Sequence, residues 1–182
     1  MRELSLHILD IVQNSISAGA DNIEIVINED IENNLFTIKI IDDGSGIEKE
    51  KLKKITDPFV TSRVTREVGL GLSFFQEAAR QCDGKMEIDS VVGEGTEVRA
   101  YFQYDHIDRA PLGDIRGTLT SLVSLNPDVD FKYKHKYRDR EFVFDTGDVK
   151  KELEDIKINQ PEVMKWIREF LEEGLEDLYG GD

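Results

Sequence analysis

The stretch LHILDIVQNSISAGA, residues 6–20, decides the fold because it predicts an amphipathic helix with one ligand-like polar face. That face carries residues spaced three, four and three apart, namely His7, Asp10, Asn14 and Ser17. A solvated helix face usually carries lysine and glutamate, whereas these side chains are short and suit ligand binding. The sequence therefore predicts that this helix borders a binding site.

Composition limits the classes of function. The chain has 182 residues, which is long enough for one domain with a smaller appendage. Its net charge is -15. The negative charge argues against a general nucleic-acid binder and against attachment to anionic lipid. The chain shows no signal-peptide pattern and no apolar run near the ~20 residues that span a membrane, so we expect a cytoplasmic protein. Cys82 is the only cysteine, which excludes an intramolecular disulfide.

Hydrophobic periodicity predicts the elements that follow the first helix. We predict strands over residues 22–30 and 35–40, a short helix over 48–56, a loop over 57–69, a helix over 70–82, and a hairpin that turns at 93–95. This order favours an α/β two-layer sandwich, in which a mixed, mainly antiparallel sheet has helices on one face.

The pattern changes near Asp105. We predict one domain over residues 1–104 and an α+β extension over residues 105–182, which serves as a partner-binding surface or as a structural cap on the sheet. Within the extension we expect a helix after Pro111, a basic hairpin in which His135 is solvated, and helices to the end.

Three glycine clusters are candidates for ligand contact: DDGSG at 42–46, VGLGLS at 68–73 and GEGT at 93–96. Each one also fits an ordinary turn. The second is the most informative, because free N–H groups at a helix N-terminus suit an anion such as phosphate. The sequence completes neither the P-loop motif nor the dinucleotide fingerprint.

Five motifs in order resemble those of the GHKL superfamily of ATPases and kinases, which includes gyrase, heat-shock chaperones, mismatch-repair ATPases and sensor histidine kinases. They are Asp10 with Asn14, then DDGSG, DPFVTSR (57–63), GLGL (69–72) and GEGT. The resemblance covers about residues 4–104 and implies the Bergerat ATP-binding fold. Only six residues precede His7, so we expect a stand-alone bacterial member without an N-terminal acceptor-histidine hairpin.

The resemblance implies a role for each matching residue. Asp42 is expected to read the adenine amino group, with Thr96 nearby through water, and Asn14 is expected to hold Mg²⁺ on the phosphates. The further ATP-binding positions are Gly44 and Gly46 beside the base, Gly69 and Gly71 at the triphosphate, and a lid from Thr61 to Arg66.

Two arginines of this lid, Arg63 and Arg66, either reach phosphate or are solvated loop charges. Asp10 stands where many relatives have the glutamate that activates water, and it is the candidate general base. His106 begins HIDRAPLGDIRG, which resembles an acceptor-histidine motif placed after the ATP domain, so it is a candidate phosphoacceptor or a linker residue.

These residues lead to the hypothesis that the chain binds Mg-ATP and hydrolyses it slowly, or transfers its phosphate to an unidentified protein partner in the manner of histidine kinases or anti-sigma kinases. The alternative is a non-catalytic, ATP-dependent conformational switch or interaction module. Neither hypothesis involves nucleic acid or a membrane.

Overall fold

The computed structural model describes residues 3–57 and 70–180. The helices in these ranges are α1 (Leu4–Ser17), α2 (Lys49–Thr56), α3 (Leu70–Gln81), α4 (Ile115–Leu125), α5 (Thr146–Leu153) and α6 (Pro161–Tyr179). The strands are β1 (Asn22–Asp30), β2 (Leu35–Asp42), β3 (Lys85–Val91), β4 (Gly95–Gln103), β5 (Asp130–Tyr137) and β6 (Arg140–Asp145). This order of elements agrees with the order predicted from periodicity.

The six strands form one sheet in the order β3-β4-β2-β1-β5-β6. β1 and β5 run parallel, and every other neighbouring pair is antiparallel. The predicted mixed, mainly antiparallel sheet is therefore confirmed.

Alternation along the strands separates a buried sheet face from an open one. Ile23, Ile25 and Ile27 of β1 are buried in a core that also contains apolar side chains of α1, α3, α4 and α6. The intervening residues point to the other face, where Lys134 Nζ lies 2.8 Å from Glu24 Oε1. The core therefore lies between the sheet and one layer of helices, as predicted.

The extension is joined to the first helix and to the first strand. Leu4 N–H donates to the Pro111 carbonyl at 2.9 Å, and Ser5 N–H donates to the Leu112 carbonyl at 2.8 Å. These bonds satisfy N–H groups that the first turn of a helix leaves without an intrahelical partner. Because β5 pairs with β1, the extension also continues the same sheet. The start of α1 is thus fixed by a segment about one hundred residues later in the chain.

The expectation that His135 is solvated is wrong. The hairpin of β5 and β6 forms where predicted, but His135 is fully buried. Its strand alternates, so the neighbouring lysines reach the open face while His135 points into the helix layer.

Candidate functional site

Two adjoining cavities lie where α1 crosses one end of the sheet. The first has a volume of about 370 Å³ and is lined from α1, β2, β4 and the loop after β2; the second, of about 680 Å³, lies between α1 and the start of α3. Asn14 and Ser17 line both. The cavities bring together most of the predicted site residues that the structure describes, namely Asp10, Asn14, Asp42, Gly46, Gly71 and Thr96.

Asp42 is held by two hydrogen bonds at the wall of the first cavity. It is the last residue of β2 and lies opposite Thr96 of β4. Its Oδ2 accepts a hydrogen bond from Ser15 Oγ at 2.5 Å, and its Oδ1 accepts one from Gly44 N–H at 2.9 Å. The carboxylate orientation is thus determined before any ligand binds.

Ser15 is a site residue that the sequence analysis missed. It is buried, it lines the first cavity, and its hydroxyl also lies 3.3 Å from the Ile11 carbonyl. The available signal was its position, because Ser15 is a polar residue four positions after Ile11, within the apolar side of α1.

Another serine connects the loop after β2 to the β3–β4 hairpin. Ser90 Oγ accepts a hydrogen bond from Ile47 N–H at 2.8 Å and lies 2.8 Å from Thr96 Oγ1. The Gly93 N–H donates to the Ser45 carbonyl at 2.8 Å. The loop and Thr96 are therefore held in one hydrogen-bonded unit beside the cavity.

Gly46 is required by the packing of this loop. It has a φ of +74°, and a Cβ built there would lie 2.3 Å from the Val91 carbonyl oxygen. At Gly44 a Cβ would lie 3.0 Å from Ala18 Cβ. Protein neighbours alone thus account for the residue type at Gly46, whereas the predicted approach of a base to these two glycines stays a prediction.

Asn14 presents an incompletely satisfied amide at the border of the cavities. Its Nδ2 is buried and has no hydrogen-bond partner among the described residues. Amide oxygen and nitrogen are assigned from their contacts, so an unpartnered amide here is free to turn either atom toward a ligand. Buried polar groups are normally paired, so the unpaired Nδ2 of Asn14 is consistent with the expected role of this residue, which stays a prediction.

Among the described residues, Asn14 could supply one ligand to a magnesium ion, and the other ligands would have to come from a bound phosphate and from water. The described residues contain no cluster of three or more His, Cys, Asp or Glu that could hold a metal ion. The Asn14 carboxamide is a suitable hard oxygen ligand, and Mg²⁺ typically takes one or two protein ligands together with phosphate oxygens and water.

Asp10 faces the first turn of α3. A Cβ at Gly71 would lie 2.9 Å from Asp10 Cβ, and 3.7 Å from Asp10 Oδ2. Glycine thus lets α3 approach α1 closely. The second cavity therefore combines the Asp10 carboxylate with Leu70 and Gly71 of α3.

His7 lies near Asp10 but lines neither cavity. The ring is buried and stacks on Phe75 with 5.4 Å between the centroids. Burial lowers the pKa of His7 below its ordinary value of 6.5, and the charge of Asp10 opposes this shift. The imidazole is therefore held neutral between α1 and α3.

The structure does not bring His106 to the cavities. Thr96 is near the start of β4 and His106 lies beyond its end, so the strand alone, at a rise of ~3.3 Å per residue, puts about 23 Å between them. His106 Nε2 lies 3.3 Å from Asp83 Oδ2, and its Nδ1 accepts from Asp108 N–H at 3.1 Å. The lid and its predicted residues Thr61, Arg63, Arg66 and Gly69 lie outside the described residues.

Comparison with known proteins gives the family. The profile described as "Histidine kinase-, DNA gyrase B-, and HSP90-like ATPase" matches residues 2–106. Sporulation kinase D of Bacillus subtilis is 33% identical over 91 residues, which are 50% of this chain and 18% of that protein. DNA mismatch repair protein MutL of Clostridium perfringens is 46% identical over 55 residues, which are 30% of this chain and 8% of that protein.

The likeness to solved structures supports the same fold. The crystal structure of the N-terminal domain of a DNA repair protein covers 79% of this chain and 52% of that chain, with a TM-score of 0.52 and 15% identity. This chain spans at most 20% of the length of the curated relatives that we compared. Within residues 3–57 and 70–180 no helix is long and apolar enough to cross a membrane. The chain belongs to the family of histidine kinase-, DNA gyrase B- and HSP90-like ATPases.

Proposed function

We propose that the chain binds Mg-ATP across the two cavities and either hydrolyses it slowly or transfers its terminal phosphate to a protein. One observation carries this proposal: the oriented carboxylate of Asp42 and the unpartnered amide of Asn14 line the same cavity. The chain that contains this cavity belongs to a family of ATPases. The carboxylate suits the donor group of a base, and the amide suits a phosphate-bound cation.

Base recognition follows from the contacts of Asp42. The exocyclic amine of adenine is a hydrogen-bond donor, and a carboxylate is an acceptor-only group. Ser15 and Gly44 occupy one lone pair on each carboxylate oxygen and leave the others for the base. Thr96 lines the same cavity and is placed to take part through water.

Phosphate binding is assigned to the second cavity. Asn14 would hold Mg²⁺, which neutralises phosphate charge when it is bound, and the start of α3 at Gly71 would face the phosphate oxygens. Asp10 would take the proton of an attacking water as its oxygen bonds to the γ-phosphorus and the bond to the β–γ bridging oxygen breaks. Arg63, Arg66, Thr61 and Gly69 would complete the phosphate contacts from the lid.

The fate of the phosphate divides two classes of function. Aspartate is one methylene shorter than glutamate, and proton transfer needs heavy atoms within about 2.6–3.2 Å, so hydrolysis is slow. Slow hydrolysis favours transfer to a protein, and the relatives include a protein named as a kinase. It equally suits the second candidate, a switch in which bound ATP changes partner affinity without turnover.

Incubation with γ-labelled ATP, with and without cell extract, tests the proposal. Label released as phosphate indicates an ATPase, label on a protein indicates a kinase, and unchanged but bound ATP indicates a switch. The Asp42→Asn variant should bind ATP more weakly, whereas the Glu32→Gln variant removes a charge at an exposed turn and should bind it as the wild type does. Failure of the wild-type chain to bind ATP in calorimetry would refute all three.

A further inference from the structure

The outer strand β6 has a free edge on the opposite side of the sheet from β3. Among the described residues, no strand pairs with β6 on the side away from β5. A two-residue turn joins the two strands between the paired residues Tyr137 and Arg140. In such a hairpin these two residues exchange hydrogen bonds, so the alternation directs the main-chain groups of Glu141 and Val143 away from β5. The edge therefore offers main-chain donors and acceptors to another strand.

An aromatic groove runs beside this edge on the helix side. Its volume is about 550 Å³, and it lies between β6 and α6. Phe142 and Phe170 meet there with 5.6 Å between ring centroids, and Trp166 stacks on Phe170 at 5.2 Å while 48% of Trp166 stays exposed. Glycine at position 174 lets α6 approach, because a Cβ there would lie 2.0 Å from the Phe142 ring. Exposed aromatic rings next to a free strand edge are typical of a binding surface.

Acidic side chains border the helix side of the edge. Glu173 and Asp177 of α6 line the groove there, whereas on the open face Glu141 of β6 lies opposite Lys136 of β5. The single basic lining residue, Arg140, donates from Nη1 to the Asp177 carbonyl at 3.3 Å. An added strand would therefore meet carboxylates on its helix side, which favours basic residues at the positions that face α6.

We propose that the β6 edge binds an extended segment of a partner protein in which basic and apolar residues alternate. The segment adds to the sheet as a seventh strand, with its basic side chains over Phe142 toward Glu173 and its apolar side chains beside Val143 on the open face. A second copy of this chain fits less well, because an antiparallel β6 pair centred on Val143 sets the like charges Glu141 and Asp145 opposite each other. This binding does not depend on the proposed nucleotide site.

Trp166 is the only tryptophan and stacks on Phe170, which lines the groove, so its emission reports on occupancy. The experiment titrates the full chain with an acetylated, amidated octapeptide of alternating lysine and valine. We expect a saturable change in emission, with and without ATP. Glu173→Lys should weaken binding by at least roughly fivefold, the size of one exposed ion pair, and the matched Glu77→Lys change on α3 should leave it unaltered.

Control peptides separate strand addition from charge attraction. Octapeptides methylated at every second main-chain nitrogen, in either frame, should lose affinity in at least one frame, and a glutamate–valine octapeptide should not bind. Absence of a saturable emission change, equal weakening by Glu77→Lys, or unaltered affinity of both methylated peptides would overturn the proposal. A dimer in sedimentation that the lysine–valine peptide dissociates would identify a second copy as the occupant and overturn it as well.

Discussion

Two polar clusters lie at opposite ends of the same sheet and differ in how fully their groups are paired. At the end away from the cavities, Glu29 of β1 accepts hydrogen bonds from His135 Nε2 at 2.7 Å and from the Tyr179 hydroxyl. The Tyr133 hydroxyl lies 2.8 Å from His135 Nδ1, and both Glu29 and His135 are almost completely buried. This cluster joins β1 to β5 and to the last turn of α6.

The cavity end has the opposite character. Asn14 keeps a buried amide nitrogen without a partner among the described residues. Asp42 accepts hydrogen bonds from Ser15 and Gly44 and also lines the cavity. Buried polar groups that are fully paired specify a structure, whereas partly paired groups at a cavity are available to a ligand. The comparison therefore predicts that mutations at the far end change stability and that mutations at the cavity end change binding or turnover.

The largest expected effect is on turnover. Asp10→Asn removes the proposed proton acceptor, and general-base assistance is typically worth 10²–10⁴-fold, so phosphate release should fall by about 10²-fold or to background. ATP affinity in calorimetry and the urea midpoint should stay unchanged. Asp10→Glu should raise turnover, because its longer side chain reaches further toward the γ-phosphate. Equal phosphate release by the wild type and the Asn variant would make Asp10 merely a polar helix residue.

The far cluster should dominate stability. Glu29→Ala leaves the buried His135 and the Tyr179 hydroxyl without their acceptor, and a buried polar group left unsatisfied costs about 1–3 kcal/mol in free energy of unfolding. Urea denaturation followed by circular dichroism measures it. The matched change Glu24→Ala breaks a solvated pair with Lys134 and should cost at most about 1 kcal/mol. Similar losses in both variants would erase the distinction between the two environments.

The Glu29 carboxylate should also make the free energy of unfolding depend on pH. Burial raises the pKa of Glu29, but hydrogen bonds from His135 and Tyr179 outweigh it and leave the pKa below the ordinary value of 4.5. A pKa lowered in the folded state means that the contribution to stability is complete above the unfolded-state pKa and is lost as pH falls through the folded-state pKa. Between about pH 5 and pH 3 the unfolding free energy of the wild type should therefore fall more steeply than that of Glu29→Gln. Parallel curves from urea titrations would show that Glu29 does not titrate as a paired group.

Adenine recognition should depend on the charge of Asp42. Asp42→Asn replaces a charge-assisted acceptor, and the donor end of its amide must face either Ser15 or Gly44, so ATP binding should weaken by about 1.5–3 kcal/mol. Calorimetry measures the affinity, and the urea midpoint should move little. Unaltered affinity would count decisively against Asp42 as the reader of the base.

The smallest expected effect is that of Ser15, which orients the Asp42 carboxylate. Ser15→Ala removes the 2.5 Å bond to Asp42 and should weaken ATP binding by about 1 kcal/mol. Ser121→Ala, an exposed change on α4, is the matched control and should leave affinity unaltered. A loss of stability without any loss of affinity would assign Ser15 to the structural class, together with Glu29.

Local patterns determined the elements and most of the cavity. The alternation of residues 22–30 predicted β1 with the bounds that the structure has, and the spacing of Asp10 and Asn14 put them on the helix face that borders the cavities. These inferences succeed because helix and strand periods are properties of neighbouring residues. The order of the motifs then indicated the family, since glycines and carboxylates recur at fixed places along the chain.

Contacts between distant segments decided the rest. The partners of Glu29 are Tyr104, His135 and Tyr179, which lie about 75, 106 and 150 residues away, so nothing near Glu29 in the chain shows that His135 would be buried. Ser15 became a site residue only because β2 brings Asp42 to it from 27 residues away. The sequence by itself determined which segments are helices and strands, and it gave the prediction of which residues contact ATP. The parallel pairing of β5 with β1 decided that Glu29 and His135 are paired and buried, because that pairing joins segments about one hundred residues apart in the chain.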